Sequence, residues 1–122
     1  MKVLLADDDP GMLETLADVL TEVRFEVVSV KDGREAMAAL AVDRFDAIIL
    51  DIVMPGLNGI EVIDETRKTD PAAKFVIITA YSDSELVDEA RNRGVDRIFF
   101  KPIDIDGLLG TLEEIRRDFV GT

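Results

Sequence analysis

Five short apolar runs, each closed by a polar residue or a turn and each followed by apolar positions at helical spacing, recur along this chain. They leave few folds open. The runs are 2–6, 25–30, 47–51, 75–79 and 97–100. The third is the most informative. Ala47-Ile48-Ile49-Leu50 is uninterrupted, ends at once in Asp51, and leads into Pro55-Gly56 and Asn58-Gly59 turn signals. A parallel strand covered by helices on both faces reads this way, whereas an antiparallel strand with one wet face would alternate. Strict strand–helix alternation then implies one parallel sheet with right-handed crossovers. The expected fold is α/β, a doubly wound sandwich with strand order 2-1-3-4-5.

The intervening segments carry helix signals. Asp9 is a plausible N-cap with Pro10 as first helical residue, and Met12, Leu16, Val19, Leu20 and Val23 define the expected inward face of helix 1, leaving Leu13 and Ala17 off it. Asp32-Gly33 opens helix 2 through Ala36, Met37 and Leu40. Helix 3 is expected from about Asn58 to Lys68, with Ile60, Val62 and Ile63 as its apolar positions. Ser82 or Asp83 is expected to cap helix 4, which carries Leu86, Val87 and Ala90 and stops at Gly94. Helix 5 should begin near Asp104 or Asp106 and run through Leu108, Leu109, Leu112, Ile115 and Phe119, with Gly107 and Gly110 weakening its first turns.

Composition narrows the chemistry. The chain has 122 residues, enough for one domain with a real core, and no histidine or cysteine. No imidazole metal site, histidine base or Ser-His triad is available, so carboxylates and lysine must carry any chemistry. A net charge of −12 opposes direct binding to nucleic acid, which needs clustered cations. The N-terminal run Met1-Lys2-Val3-Leu4-Leu5 is too short for a signal peptide, and no stretch approaches the roughly 20 apolar residues of a membrane span. A cytoplasmic protein without membrane contact is expected.

In an open parallel sheet, ligands bind beyond the carboxyl ends of the strands. In the order 2-1-3-4-5 that edge collects Asp7 and Asp8 after strand 1, Asp51 after strand 3, Thr79 after strand 4 and Lys101 after strand 5. Each alone has an ordinary explanation: a helix cap, a turn former, a β-favouring residue, an edge-strand end. Their common place at one edge does not. Three close carboxylates repel one another unless a cation or raised pKa values relieve them. A hard divalent ion such as Mg²⁺, bound by a few carboxylates beside phosphate oxygens, suits an all-oxygen donor set. Lys101 and Thr79 add a cation and a hydroxyl suited to a transferring phosphoryl group, and a carboxylate can itself be the nucleophile, giving an aspartyl phosphate.

Asp7-Asp8-Asp9-Pro10, Asp51-Ile52-Val53-Met54-Pro55-Gly56-Leu57-Asn58-Gly59, Ile77-Ile78-Thr79-Ala80 and Lys101-Pro102 resemble the four signatures of the receiver domain of two-component response regulators, a flavodoxin-like fold. The resemblance covers essentially the whole chain, 1–122 as a single receiver domain with no output domain. It implies that Asp51 accepts a phosphoryl group from a sensor histidine kinase or a histidine phosphotransfer protein. It further implies that Asp8 binds Mg²⁺ directly, with Mn²⁺ as a possible substitute, and Asp7 largely through water, with Asp51 and the backbone carbonyl of Val53 as the other protein ligands. Thr79 and Lys101 would contact the phosphoryl oxygens, and the helix 4–strand 5–helix 5 surface would respond, in a monomer or a phosphorylation-dependent dimer. By the same resemblance, helix 1 and the strand 5–helix 5 loop would dock the phosphodonor, giving Leu13 and Ala17 a use. A downstream target or a missing effector domain would take the output.

One position departs from the family pattern. Many receivers carry Tyr or Phe three residues before the lysine, where this chain has Ile98, so the resemblance does not extend to an aromatic switch at that site. Phe99 and Phe100 are expected to point in other directions. Val53 and Tyr81, each two residues beyond a signature residue, are expected to hinder the attacking water and lengthen the phosphoryl lifetime. Other readings of the sheet are a binding module that senses without phosphorylation, a Mg²⁺-dependent aspartyl-phosphate phosphatase acting on small molecules, and a flavin or nucleotide binder. The second lacks its usual acid, since Val53 stands where a second Asp is needed, and the third lacks a glycine-rich phosphate loop after strand 1.

Overall fold

The computed structural model describes residues 1–80 and 85–120, with side chains through residue 118. Strands β1 (Lys2–Ala6), β2 (Glu26–Val30), β3 (Ala47–Asp51), β4 (Phe75–Thr79) and β5 (Arg97–Phe100) alternate with helices α1 (Pro10–Glu22), α2 (Gly33–Val42), α3 (Gly59–Thr69), α4 (Glu85–Asn92) and α5 (Ile105–Val120). All pairings are parallel and the sheet order is β2-β1-β3-β4-β5, as the alternation requires. None of the helices among the described residues is long and apolar enough to cross a membrane.

The unbroken apolar runs of β1, β3 and β4 are explained by two separate cores. Leu4, Ala6, Ile48, Leu50, Phe75 and Ile77 face one layer with Ala36 of α2, Ile63 of α3 and Val87 of α4. Val3, Leu5, Ala47, Ile49, Val76 and Ile78 face the other, with Leu16 and Leu20 of α1 and Leu108 and Leu112 of α5. Each strand thus contributes by alternation to both layers, and no position is left for a polar residue until the strand ends. Burying one such side chain contributes about 1.5–3 kcal/mol. Leu50→Ala, at a fully buried position, would cost about 2–5 kcal/mol by adding a cavity to the lost transfer term.

Local chemistry sets the helix starts. Asp9 Oδ1 accepts from the backbone N–H groups of Gly11 and Met12 at 3.0 and 3.4 Å, with Pro10 at the first position. Asp32 Oδ1 accepts from Glu35 N at 2.8 Å, and Asn58 with Glu61 forms a reciprocal capping box at 3.1 and 3.3 Å. Asp104 Oδ1 takes the Gly107 N–H at 3.1 Å, so α5 is capped by Asp104. Gly94, at φ +65°, stops α4 in the left-handed region that a side chain disfavours.

Two expectations are corrected. Leu13 and Ala17 are half-buried and pack on the α1–α5 core, while Val23, expected inward, caps the end of α1 and is 44% exposed. The inward stripe is therefore rotated toward Leu13-Leu16-Ala17-Leu20, and these two residues already have an internal role. The helix 4 caps proposed at Ser82 and Asp83 lie outside the described residues, as does the Phe119 side chain.

Candidate functional site

The strand ends deliver the expected residues to one edge. Asp7 follows β1, its backbone N–H extending the ladder to Val30 O at 3.2 Å, and its side chain is fully buried. Asp7 Oδ1 accepts the Asp9 N–H at 2.9 Å, tying the carboxylate to the loop that starts α1. Asp51 is the last residue of β3 and only 5% exposed. Thr79, fully buried, lies one step beyond Ile78, which pairs with Asp51 across the β3–β4 ladder. Lys101 follows β5, donates its backbone N–H to Thr79 O at 2.8 Å, and precedes Pro102 through a cis peptide bond.

The side chain of Lys101 reaches back across the strand ends. Its Nζ lies 2.9 Å from Asp7 Oδ2 and 3.2 Å from Asp51 Oδ2, joining residues contributed by β1, β3 and β5. The other oxygen, Asp51 Oδ1, accepts the Val53 backbone N–H at 3.0 Å. Exposed Asp8 completes the group: one carboxylate oxygen from each of Asp7, Asp8 and Asp51 lies within 4.8 Å of the others. At that separation and an effective dielectric of 20, two carboxylates repel by about 3.5 kcal/mol. Among the described residues, one ammonium against the three carboxylates of this cluster leaves it two charges short of neutral.

The ionisation equilibria reflect this shortfall. Burial raises the pKa of Asp51 above the ordinary carboxylate value, with the Asp7 charge adding to it, and the Val53 N–H and Lys101 only partly oppose the rise. For Lys101, burial works against the ammonium, but the adjacent carboxylates of Asp7 and Asp51 outweigh it and raise its pKa. Among the described residues, no well-aligned hydrogen-bond donor reaches the buried Asp7 Oδ2, whose close neighbour is the Lys101 ammonium. A buried, under-compensated carboxylate oxygen among all-oxygen donors fits a hard divalent cation.

The profile of the response regulator receiver domain matches residues 3–113. The chain belongs to this family. It is a signalling domain of two-component systems, whose members are phosphorylated on aspartate. A response regulator receiver protein of Anaeromyxobacter is 34% identical over 88% of this chain and 45% of its own length. The sporulation initiation phosphotransferase F of Bacillus subtilis is 30% identical over 86% of this chain and 85% of its own length. This receiver thus spans less than half of the first relative but most of the second. Among solved structures, the response regulator protein TrrA of Thermotoga maritima, in complex with Mg(2+)-BeF, is 32% identical with a TM-score of 0.83, covering 93% of this chain and 97% of its own. The N-terminal domain of an uncharacterized Wolinella succinogenes protein reaches a TM-score of 0.94 at 30% identity, covering 99% of this chain and 98% of its own.

Every predicted site residue that the structure describes lies at this edge. Val53 is 38% exposed, while Tyr81 lies outside the described residues. Ile98 is half-buried against the α2–α3–α4 layer and Phe99 is buried in the opposite layer, as expected from alternation. Phe100 needs a correction: two residues beyond Ile98, it returns by alternation to the Ile98 face, where it is 38% exposed. The Val53 N–H was missed as a functional group because a backbone donor leaves no mark in a residue pattern.

Proposed function

We propose that Asp51 is the phosphoacceptor of this receiver. Its Oδ atom attacks phosphorus, a P–O bond forms, and the P–N bond of a phosphohistidine donor breaks with the imidazole leaving. What supports this assignment is the grip on that one carboxylate, with the Val53 N–H at Oδ1 and the Lys101 ammonium at Oδ2, at the edge shared with Asp7 and Asp8. Fixing both oxygens orients the nucleophile before the donor arrives.

Asp8, Asp51 and the Val53 carbonyl would hold Mg²⁺ directly and Asp7 largely through water, and Mn²⁺ would serve the same oxygen donors. Bound there, the ion supplies the positive charge that the edge lacks and screens the incoming phosphoryl oxygens. Lys101 can exchange its contact with Asp51 for a phosphoryl oxygen, and the Thr79 hydroxyl can donate to another. Because Lys101 follows β5 and Thr79 ends β4, movement of either displaces the chain leading into α4 and α5, which makes the α4–β5–α5 surface the readout. The partially exposed Val53 side chain stands near the mouth of the site and slows the water that regenerates Asp51. Catalysis in this chain is limited to its own phosphorylation and dephosphorylation. Its donor is a histidine kinase or a phosphotransfer protein, and its output passes to a separate target or an effector domain.

Incubation with acetyl phosphate and Mg²⁺ tests this reading. Acid-labile phosphate should appear on the wild type, be absent from Asp51→Asn, and be lost in excess chelator. Equal labelling of Asp51→Asn would refute the assignment, and efficient labelling in chelator would refute the metal. Val53→Asn should shorten the phosphoryl half-life severalfold, and an unchanged half-life would remove Val53 from the mechanism.

A further inference from the structure

We infer that Gly33, at the first position of α2, is a positioning residue for the phosphorylation site, because its lack of a side chain lets the 52–58 loop seat where that loop holds Asp51. This inference rests on the assignment of Asp51 given above. A Cβ built on Gly33 would lie 2.2 Å from the Leu57 carbonyl oxygen, 2.8 Å from Leu57 Cβ and 3.0 Å from Leu57 C. Backbone, not the end of a flexible side chain, occupies the space. The contact would have to open to at least 3.0 Å, so an alanine at position 33 must push either α2 or the loop. Gly33 is not among the residues with positive φ, and alanine is the better helix former, so neither backbone conformation nor helix propensity asks for glycine here.

The loop has little freedom to absorb the push. Leu57 packs into the α2–α3–α4 core, and the next residue, Asn58, is locked by its capping box with Glu61. Gly59 N donates to Ile52 O at 2.8 Å, and the space above Gly59 is filled by Ile52 Cα at 2.7 Å and Asp51 O at 3.2 Å from a built Cβ. A displacement of Leu57 therefore passes through Gly59 to Ile52, and from there to Val53, whose N–H orients Asp51 Oδ1. Misplacement of a reacting group by about 1 Å can cost about a hundredfold in rate. Gly33 touches no reacting atom, and its effect is transmitted through Leu57 and Gly59.

Gly33→Ala tests the inference, with Gly110→Ala as control. Position 110 lies in α5 with open space around a built Cβ, so alanine there should stabilise the fold without touching the site. In Gly33→Ala the Val53 and Leu57 amide resonances should shift, Mg²⁺ affinity should fall about tenfold, and phosphorylation by acetyl phosphate should slow by about a hundredfold. The double variant Gly33→Ala/Gly110→Ala should regain thermal stability but keep these defects. Unchanged Val53 amide and Mg²⁺ affinity in Gly33→Ala would overturn the inference, as would full recovery of both in the double variant. Should the wild type take up no phosphoryl group while the Val53 amide still moves, the assignment of Asp51 fails and the positioning of its loop by Gly33 stands.

Discussion

The two edges of the sheet handle charge in opposite ways. At the amino edge charges are matched locally and in water: Lys2 pairs with Asp43 and with Glu26 at 3.5 Å, Lys74 lies 3.9 Å from Asp96, and Asp96 also accepts the Phe75 N–H at 3.0 Å. At the carboxyl edge one part-buried ammonium faces three carboxylates, two of them buried. The first arrangement asks nothing of a ligand. The second holds a fixed shortage of positive charge that a divalent cation can relieve. Pre-organised strain of this kind is what a functional site retains at the expense of stability.

Ionisation makes the contrast measurable. Asp43 is held below its ordinary pKa of 3.8, first by its hydrogen bond to Lys2, so its contribution to stability is present above 3.8 and lost as pH falls through the lower folded value. Asp51 is shifted the other way by burial. Its contribution is present below 3.8 and lost as pH rises through the higher folded value, so at neutral pH its ionised form opposes folding.

The largest effect is expected from removing the Lys101 ammonium. Lys101→Met leaves Asp7 and Asp51 facing each other uncompensated, and should lower unfolding free energy by about 3–5 kcal/mol in chelator. Denaturant melts would contradict the account if the loss were negligible. Next comes the metal. Mg²⁺ at a hundred times its Kd should stabilise the wild type by about 2.7 kcal/mol, and much less so an Asp8→Asn variant, as a Mg²⁺ series of thermal melts would show. Asp51→Asn in chelator at pH 7 should then raise stability by about 1–2 kcal/mol, the usual gain from relieving a functional site. That gain should shrink toward pH 4 as the native Asp51 takes up its proton. A destabilised Asp51→Asn protein at pH 7 would show that the carboxylate is adequately compensated. Smallest of all, Asp43→Asn at the amino edge should shift the melt only slightly, and less in high salt, because exposed pairs are weak and screened.

Much of this was legible in the residues. The switch from continuous apolar runs to helical spacing fixed element type and order, and burial of β1, β3 and β4 on both faces is why those runs are continuous. Asp7, Asp51, Thr79 and Lys101 stood out because each is the first polar residue after such a run. The misses share a cause. Leu13 and Ala17 depend on the rotation of α1 against the sheet, the grip of Lys101 on Asp7 joins the ends of β5 and β1, and Gly33 matters only through Leu57, a contact between α2 and the β3–α3 loop. None leaves a local periodic trace. Phe100 was the exception, since strand alternation alone places it on the Ile98 face.

The most direct test of the central claim is to locate the phosphoryl group. After labelling with acetyl phosphate and Mg²⁺, borohydride reduction converts an aspartyl phosphate to homoserine, and peptide mass mapping reports the position. Conversion is expected at position 51 alone, dependent on Mg²⁺. Conversion at Asp7 or Asp8 instead, or at Asp51 with equal efficiency in excess chelator, would contradict the claim.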